Sequence, residues 1–153
     1  MRTLRMGNRV ELPDVNILLA LLDPAHIHHP VATKWFQGVD SWATCSLTEN
    51  GCIRVLSSPA YSGVDFNCED VIELLTTLCS NHSTSHHYWV DSPSLRDHNL
   101  INPARVKGPK QISDISLLAL CQQEGGTLVT MDRSIQLSAI VSPHPLLLKI
   151  LHS

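Results

Sequence analysis

No apolar run in this 153-residue chain is long enough to cross a bilayer; the longest lie near Ile17–Leu22 and Leu146–Leu148. No basic, then apolar, then small-residue pattern opens the sequence, so nothing reads as a signal peptide, and the expected location is the cytoplasm with no membrane partner. Charge is scarce. Charged residues make up 16% against 43% hydrophobic, which excludes a disordered chain. Cationic excess is absent too: the net charge is -3, so there is no global basic field for nucleic acid. Any RNA or DNA site has to rest on a local patch or on bound cations. The five cysteines (Cys45, Cys52, Cys68, Cys79, Cys121) are odd in number and form no C-x-x-C, and they read as reduced core thiols. There is no internal repeat, no low-complexity tract and no sign of a second domain, and the length suits one domain with a real core.

What is present is alternation of strands and helices. Met1–Arg9, with three arginines and little apolar patterning, reads as a lead-in, and residues 10–153 as the domain. Strands are expected at Val10–Asp14, Ser41–Cys45, His87–Val90, Thr127–Met131 and Leu146–Leu151. Pro13 fits only near a strand end, since it has no N–H to donate. Helices are expected at Asn16–Leu22, His29–Gln37, Ser46–Leu56, Cys68–Ser80 and from Gln111 to the Gly125-Gly126 stop, with a short one at Ile135–Ala139. Ser58–Asp65 reads as loop, and Asp91–Pro109 as a polar segment with one helical turn near Ser94–His98. The fold class that follows is α/β: a single domain with a parallel central sheet sandwiched between helices.

In such a sheet ligands bind beyond the carboxyl ends of the strands. Four acids fall there: Asp14, Glu49, Asp114 and Asp132. Each has a purely structural explanation. Asp14 and Asp132 suit helix caps, Glu49 lies at capping-box spacing from Ser46, and Asp114 suits a first helical turn. As a set they repel. A like pair about 4 Å apart costs on the order of 4 kcal/mol at an effective dielectric near 20. No base lies beside Asp14, Glu49 or Asp114 in sequence to offset this. A hard divalent cation does so, and all-oxygen ligands suit Mg2+ or Mn2+. Such an ion acidifies bound water and stabilises a phosphorane-like transition state. Arg96, Arg105, Lys107 and Lys110 lead up to Asp114, and Arg133 adjoins Asp132; they form either a solvated loop or a rim that contacts RNA phosphates. His26, His28 and His29 lack a zinc-ligand spacing and read as surface hydrogen-bonding groups, as does His86-His87 ahead of its strand. Trp35, Trp42 and Trp89 lie in apolar patterns and read as core.

The segments LPDVNILLAL, SLTENG and ISDISLLALCQQEGGTLVTMD, in this order, resemble the PIN domain, in particular the VapC-type toxins of toxin–antitoxin pairs. HIHHPVATKWF is similar to the second-helix region of the same proteins. The resemblance covers nearly the whole chain, and its last block is the most specific. It implies a metal-dependent endoribonuclease that hydrolyses RNA by a metal-activated water. The acidic quartet then maps onto Asp14, Glu49, Asp114 and Asp132. Asp14, Asp114 and Asp132 hold Mg2+ or Mn2+, while Glu49 serves as ligand or orients the water. Asn16 and Thr130 occupy the places of supporting polar residues. A homodimer and a VapB-type antitoxin are the implied partners. The alternatives are another metal-dependent phosphoesterase on this scaffold, or an inactive PIN-like binding module. A receiver-like phosphoacceptor lacks its paired acids and late lysine here.

Overall fold

A computed structural model describes residues 9–61 and 65–152. Five strands, β1 (Glu11–Pro13), β2 (Ser41–Cys45), β3 (Ser85–Trp89), β4 (Thr127–Thr130) and β5 (Leu148–Ile150), form one sheet in the order β3-β2-β1-β4-β5. Every pairing is parallel. The helices are α1 (Val15–Leu22), α2 (His29–Gly38), α3 (Ser46–Leu56), α4 (Cys68–Cys79) and α5 (Ile112–Glu124).

Alternation along the strands divides the core between the two sheet faces. Leu12, Ala43, Cys45 and Leu128 pack with Ile115, Leu118 and Cys121 of α5. Trp42 and Val129 pack with Ile17 and Leu18 of α1, Trp35 and Phe36 of α2, Cys52 and Leu56 of α3, and Val71 and Leu75 of α4. The sheet is therefore sandwiched between helices, as the sequence pattern implies, and all three tryptophans are buried. Trp42 stands edge-on to Trp35 and Phe36 with ring centroids 6.5 and 5.4 Å away.

Glycine settles two positions. Gly125 ends α5 in the left-handed region at φ 70°, where a Cβ is costly. Gly126 has no room for one: a Cβ there runs into Trp89 Cη2 and meets the Val10 carbonyl oxygen at 2.7 Å. Gly126→Ala must push β4 away from both, and overpacking of this kind costs about 1–3 kcal/mol. Urea unfolding is expected to show the loss as a lower midpoint with an unchanged slope.

Several boundaries differ from those expected. β1 stops at Pro13, and Asp14 caps α1 instead of closing the strand. β3 begins at Ser85, so His86 and His87 lie inside it and not ahead of it. β5 begins at Leu148 because the Leu147 N–H turns back to the His144 carbonyl. Ile135–Ala139 is not a helix. Both Ser134 donors, backbone and hydroxyl, bond Asp132 Oδ1, which closes a local turn, and Ile140 then forms an antiparallel bridge with Ile101. Ser94–His98 makes isolated turns only. Two 3-10 turns, Pro103–Arg105 and Pro109–Gln111, punctuate the polar segment. Cys45, Cys52 and Cys121 are buried thiols as expected, but Cys68 is exposed and Cys79 only half-buried. The lead-in lies outside the described residues apart from Arg9, whose guanidinium donates to the Gly126 carbonyl and to Thr127 Oγ1. The loop expected at Ser58–Asp65 is described only up to Tyr61 and at Asp65.

Candidate active site

Parallel strands deliver all their carboxyl ends to one edge. There β1 and β4 are neighbours with Pro13 opposite Val129, which sets the next residue of β1, Asp14, beside Thr130. Thr130 Oγ1 donates to Asp14 Oδ2 at 2.6 Å, and the Ile17 N–H donates to Oδ1 at 3.0 Å. Thr130 is fully buried and Asp14 only 7% exposed. The same Thr130 oxygen accepts the Asp132 N–H at 3.0 Å, so one hydroxyl ties the two acids together. α5 runs back against the sheet, and its first turn returns Asp114 to this edge.

The three aspartates feel one another. Burial pushes the Asp14 carboxyl above the usual carboxylate range; the bonds from Thr130 and Ile17 oppose this, and the charges of Asp114 and Asp132 add to it. Asp114 is raised by burial and then by Asp132. Asp132, exposed, is lowered by its two bonds from Ser134. The salt bridge formed among the described residues is Lys149 with Glu11, away from all three. Among the described residues no base forms an ion pair with any of the three to offset the repulsion. The donor set suits a hard cation in its chemistry: oxygen only, anionic and, among the described residues, without an ion-paired base. Among the described residues, however, no three His, Cys, Asp or Glu side chains stand close enough to hold an ion as they are.

Glu49 departs from the expected quartet. Its Oε2 accepts from Thr44 Oγ1 at 2.5 Å, and Thr44 Oγ1 also bonds His86 Nε2 at 2.8 Å. The carboxylate lies in a groove of about 280 Å³ between α3, α4 and β3, with Cys79 and Tyr88. Its charge and burial push the Cys79 thiol up to about 11, burial being the larger cause. The capping box expected of Ser46 and Glu49 falls one residue earlier, on Cys45 and Thr48, because α3 starts directly at the end of β2.

Of the supporting residues, Thr130 is engaged and Asn16 is exposed on α1. Arg105, Lys107, Lys110 and Arg133 are all exposed, and Arg133 Nη2 bonds His152 Nδ1 instead of an acid. The histidines at the α2 start bond locally: His29 Nδ1 to the Ala20 carbonyl, and His26 Nδ1 to the His28 N–H. Sequence reasoning missed three side chains at this edge. Thr44 and His86 hold Glu49. Asp91, two residues past the end of β3, accepts from Ser46 Oγ and the Leu47 N–H at the α3 start. The signal for Asp91 was the one used for Asp14, an acid just past a strand: the strand expected at His87–Val90 ended directly before it, yet Asp91 was read only as the start of the polar segment.

No family model matches the chain. Curated relatives do. Ribonuclease VapC44 of Mycobacterium tuberculosis is 40% identical over 131 residues, 84% of this chain and 90% of the relative. Ribonuclease VapC39 of the same organism is 34% identical over 84% of this chain and 92% of its own length. Ribonuclease VapC29 is 30% identical over 79% and 84%. The matches span most of both partners, and the parallel sheet between helices is the architecture that the resemblance implied, so the chain belongs to the VapC family of PIN-domain ribonucleases.

Proposed function

We propose that this protein is the toxin of a VapBC-type pair, an endoribonuclease that hydrolyses RNA phosphodiesters with Mg2+ or Mn2+. The observation that carries the reading is the buried Asp14 carboxylate. It is anchored by Thr130 and the Ile17 N–H, raised by burial and further by Asp114 and Asp132, and forms no ion pair with a base among the described residues. Burying a charge among like charges is expensive, and a fold keeps such an arrangement where a cation supplies the missing balance. Asp14, Asp114 and Asp132 hold the ion, and Glu49 completes the site. Held by these carboxylates, a divalent ion would offset their charge and supply Lewis-acid chemistry, acidifying a water and stabilising charge on the phosphate.

The chain's own groups do the positioning. Thr130 fixes the Asp14 carboxylate with one bond and the Asp132 backbone with another, so the two keep one spacing through turnover. Ser134 fixes the Asp132 carboxylate. Exposed Arg105, Lys107, Lys110 and Arg133 contact RNA phosphates, supplying locally the positive charge that the chain as a whole lacks. In-line hydrolysis leaves a 5′-phosphate and a 3′-hydroxyl. The VapB-type antitoxin and homodimerisation are proposed on the resemblance to the VapC proteins, and the proposed RNA substrate puts the site of action in the cytoplasm.

Purified protein is expected to cut single-stranded RNA in Mg2+ and to leave it intact in EDTA. Product ends read by ligation should carry 5′-phosphate. Cleavage of DNA or small phosphoesters in preference to RNA would favour another phosphoesterase, and no cleavage of any of them would favour a binding module.

A further inference from the structure

We propose that Thr44 and His86 are positioning residues that hold Glu49 in a withdrawn setting, and that cation binding at the three aspartates draws Glu49 off them. The inference rests on the functional reading above. Thr44 has one hydroxyl proton. If that proton goes to Glu49 Oε2 at 2.5 Å, then the 2.8 Å contact with His86 has to run from Nε2–H to the Thr44 oxygen. A chain of donors thus points from the edge strand toward the carboxylate. The chain is anchored at its far end, where the His86 ring lies tilted at 58° against the buried Trp42 ring, centroids 4.7 Å apart.

Glu49 nevertheless starts from the right place to join the aspartates. α3 begins directly at the end of β2, and β2 adjoins β1. The two helices that leave these strands pack closely, with the Val15 side chain of α1 filling the space that Gly51 of α3 leaves open. A Cβ on Gly51 meets Val15 Cγ2 at 2.8 Å, and Val15 follows Asp14. The second turn of α3, two residues after Glu49, is therefore packed beside the first residue of α1, next to the Asp14 cap. A change of rotamer carries a glutamate carboxylate several ångströms without moving its helix. In this setting Glu49 is not among the charges that raise Asp14 or Asp114, and the hydrogen bond from Thr44 makes the withdrawn rotamer the favoured one. A bound cation reverses the preference, because the fourth carboxylate is then attracted. The competent arrangement is a minority state, and the apparent cation affinity falls by its population.

Titration calorimetry with Mg2+ tests this. Thr44→Val keeps the β-branched shape and deletes the hydroxyl, so Mg2+ should bind roughly three- to tenfold more tightly than to wild type. Thr44→Ser should restore wild-type affinity. Adding Glu49→Gln to Thr44→Val should cancel the gain. In wild type, nitrogen-detected NMR should show the His86 Nε2 resonance shifting as Mg2+ is added, and not in Glu49→Gln. Equal or weaker binding by Thr44→Val, or a His86 resonance indifferent to Mg2+, overturns the proposal. Asp114→Asn serves as the separate control. If it binds Mg2+ like wild type, the functional reading itself has failed; if it loses binding while Thr44→Val is unchanged, only the withdrawn setting of Glu49 has failed.

Discussion

Asp14→Asn is expected to lower RNA cleavage by on the order of 100-fold or more, the loss typical when a group that stabilises transition-state charge is removed. At pH 7 in EDTA the variant should be at least as stable as wild type. These outcomes have one cause. Asp14 is held above the ordinary carboxylate range first by burial and then, after its two hydrogen bonds, by Asp114 and Asp132. A carboxyl whose folded-state pKa is raised contributes stability that is complete below the unfolded value and is lost as pH rises through the folded one. At neutral pH it is therefore a liability to the fold. Asparagine removes that liability. Its amide oxygen still accepts from the Ile17 N–H, though Thr130 loses its anionic acceptor, which offsets part of the gain. Melting curves should show the advantage of Asp14→Asn at pH 7, narrowing as pH falls toward the unfolded carboxylate value and wild-type Asp14 takes up its proton. A variant that unfolds outright at pH 7 would mean that Asp14 matters as a cap and not as a charge. Full cleavage activity would remove it from the site.

The same residue marks how far the sequence could be read. Strand and helix periodicity placed the five strands, and parallel pairing follows from the alternation, so the edge where Asp14 and Asp132 meet was legible before any coordinates. Thr130 was legible as a supporter only through the resemblance to PIN domains, whose supporting polar residue falls at its place. Glu49 was not. Its neighbours depend on which face of β2 carries Thr44 and on β3 lying at the sheet edge in register with β2, Thr44 opposite Tyr88 and Trp42 opposite His86. Register is a property of the paired strands and leaves no local trace in either one. Ile135–Ala139 failed for a different reason. Its apolar spacing suited a helix, but Asp132 captured both Ser134 donors and closed a turn first. The capping box on α3 moved because Cys45, which no rule favours as a cap, sits where β2 runs into the helix without a loop.

Magnesium is expected to raise the melting temperature of the wild type by about 5–10 °C at roughly 100 times its dissociation constant. That follows from a linkage stabilisation of about 2.7 kcal/mol and about 2–4 °C per kcal/mol for a domain of this size. Asp114→Asn should show less than about half of that shift, and its starting point should lie higher, not lower. Asp114 is raised by burial and then by Asp132, so neutralising it relieves the metal-free fold above the folded-state pKa. Wild type and variant should therefore approach each other, or cross, as Mg2+ is added: the acid that weakens the empty cluster is the one that strengthens the filled one. An ordinary first-turn acid behaves otherwise. Asp114 sits where the α5 dipole favours a negative charge, so a purely helical role predicts a lower melting temperature for Asp114→Asn in EDTA and an unchanged Mg2+ shift. The sign of the EDTA difference and the size of the Mg2+ increment separate the two roles in one experiment, and equal shifts would remove Asp114 from the ligand set.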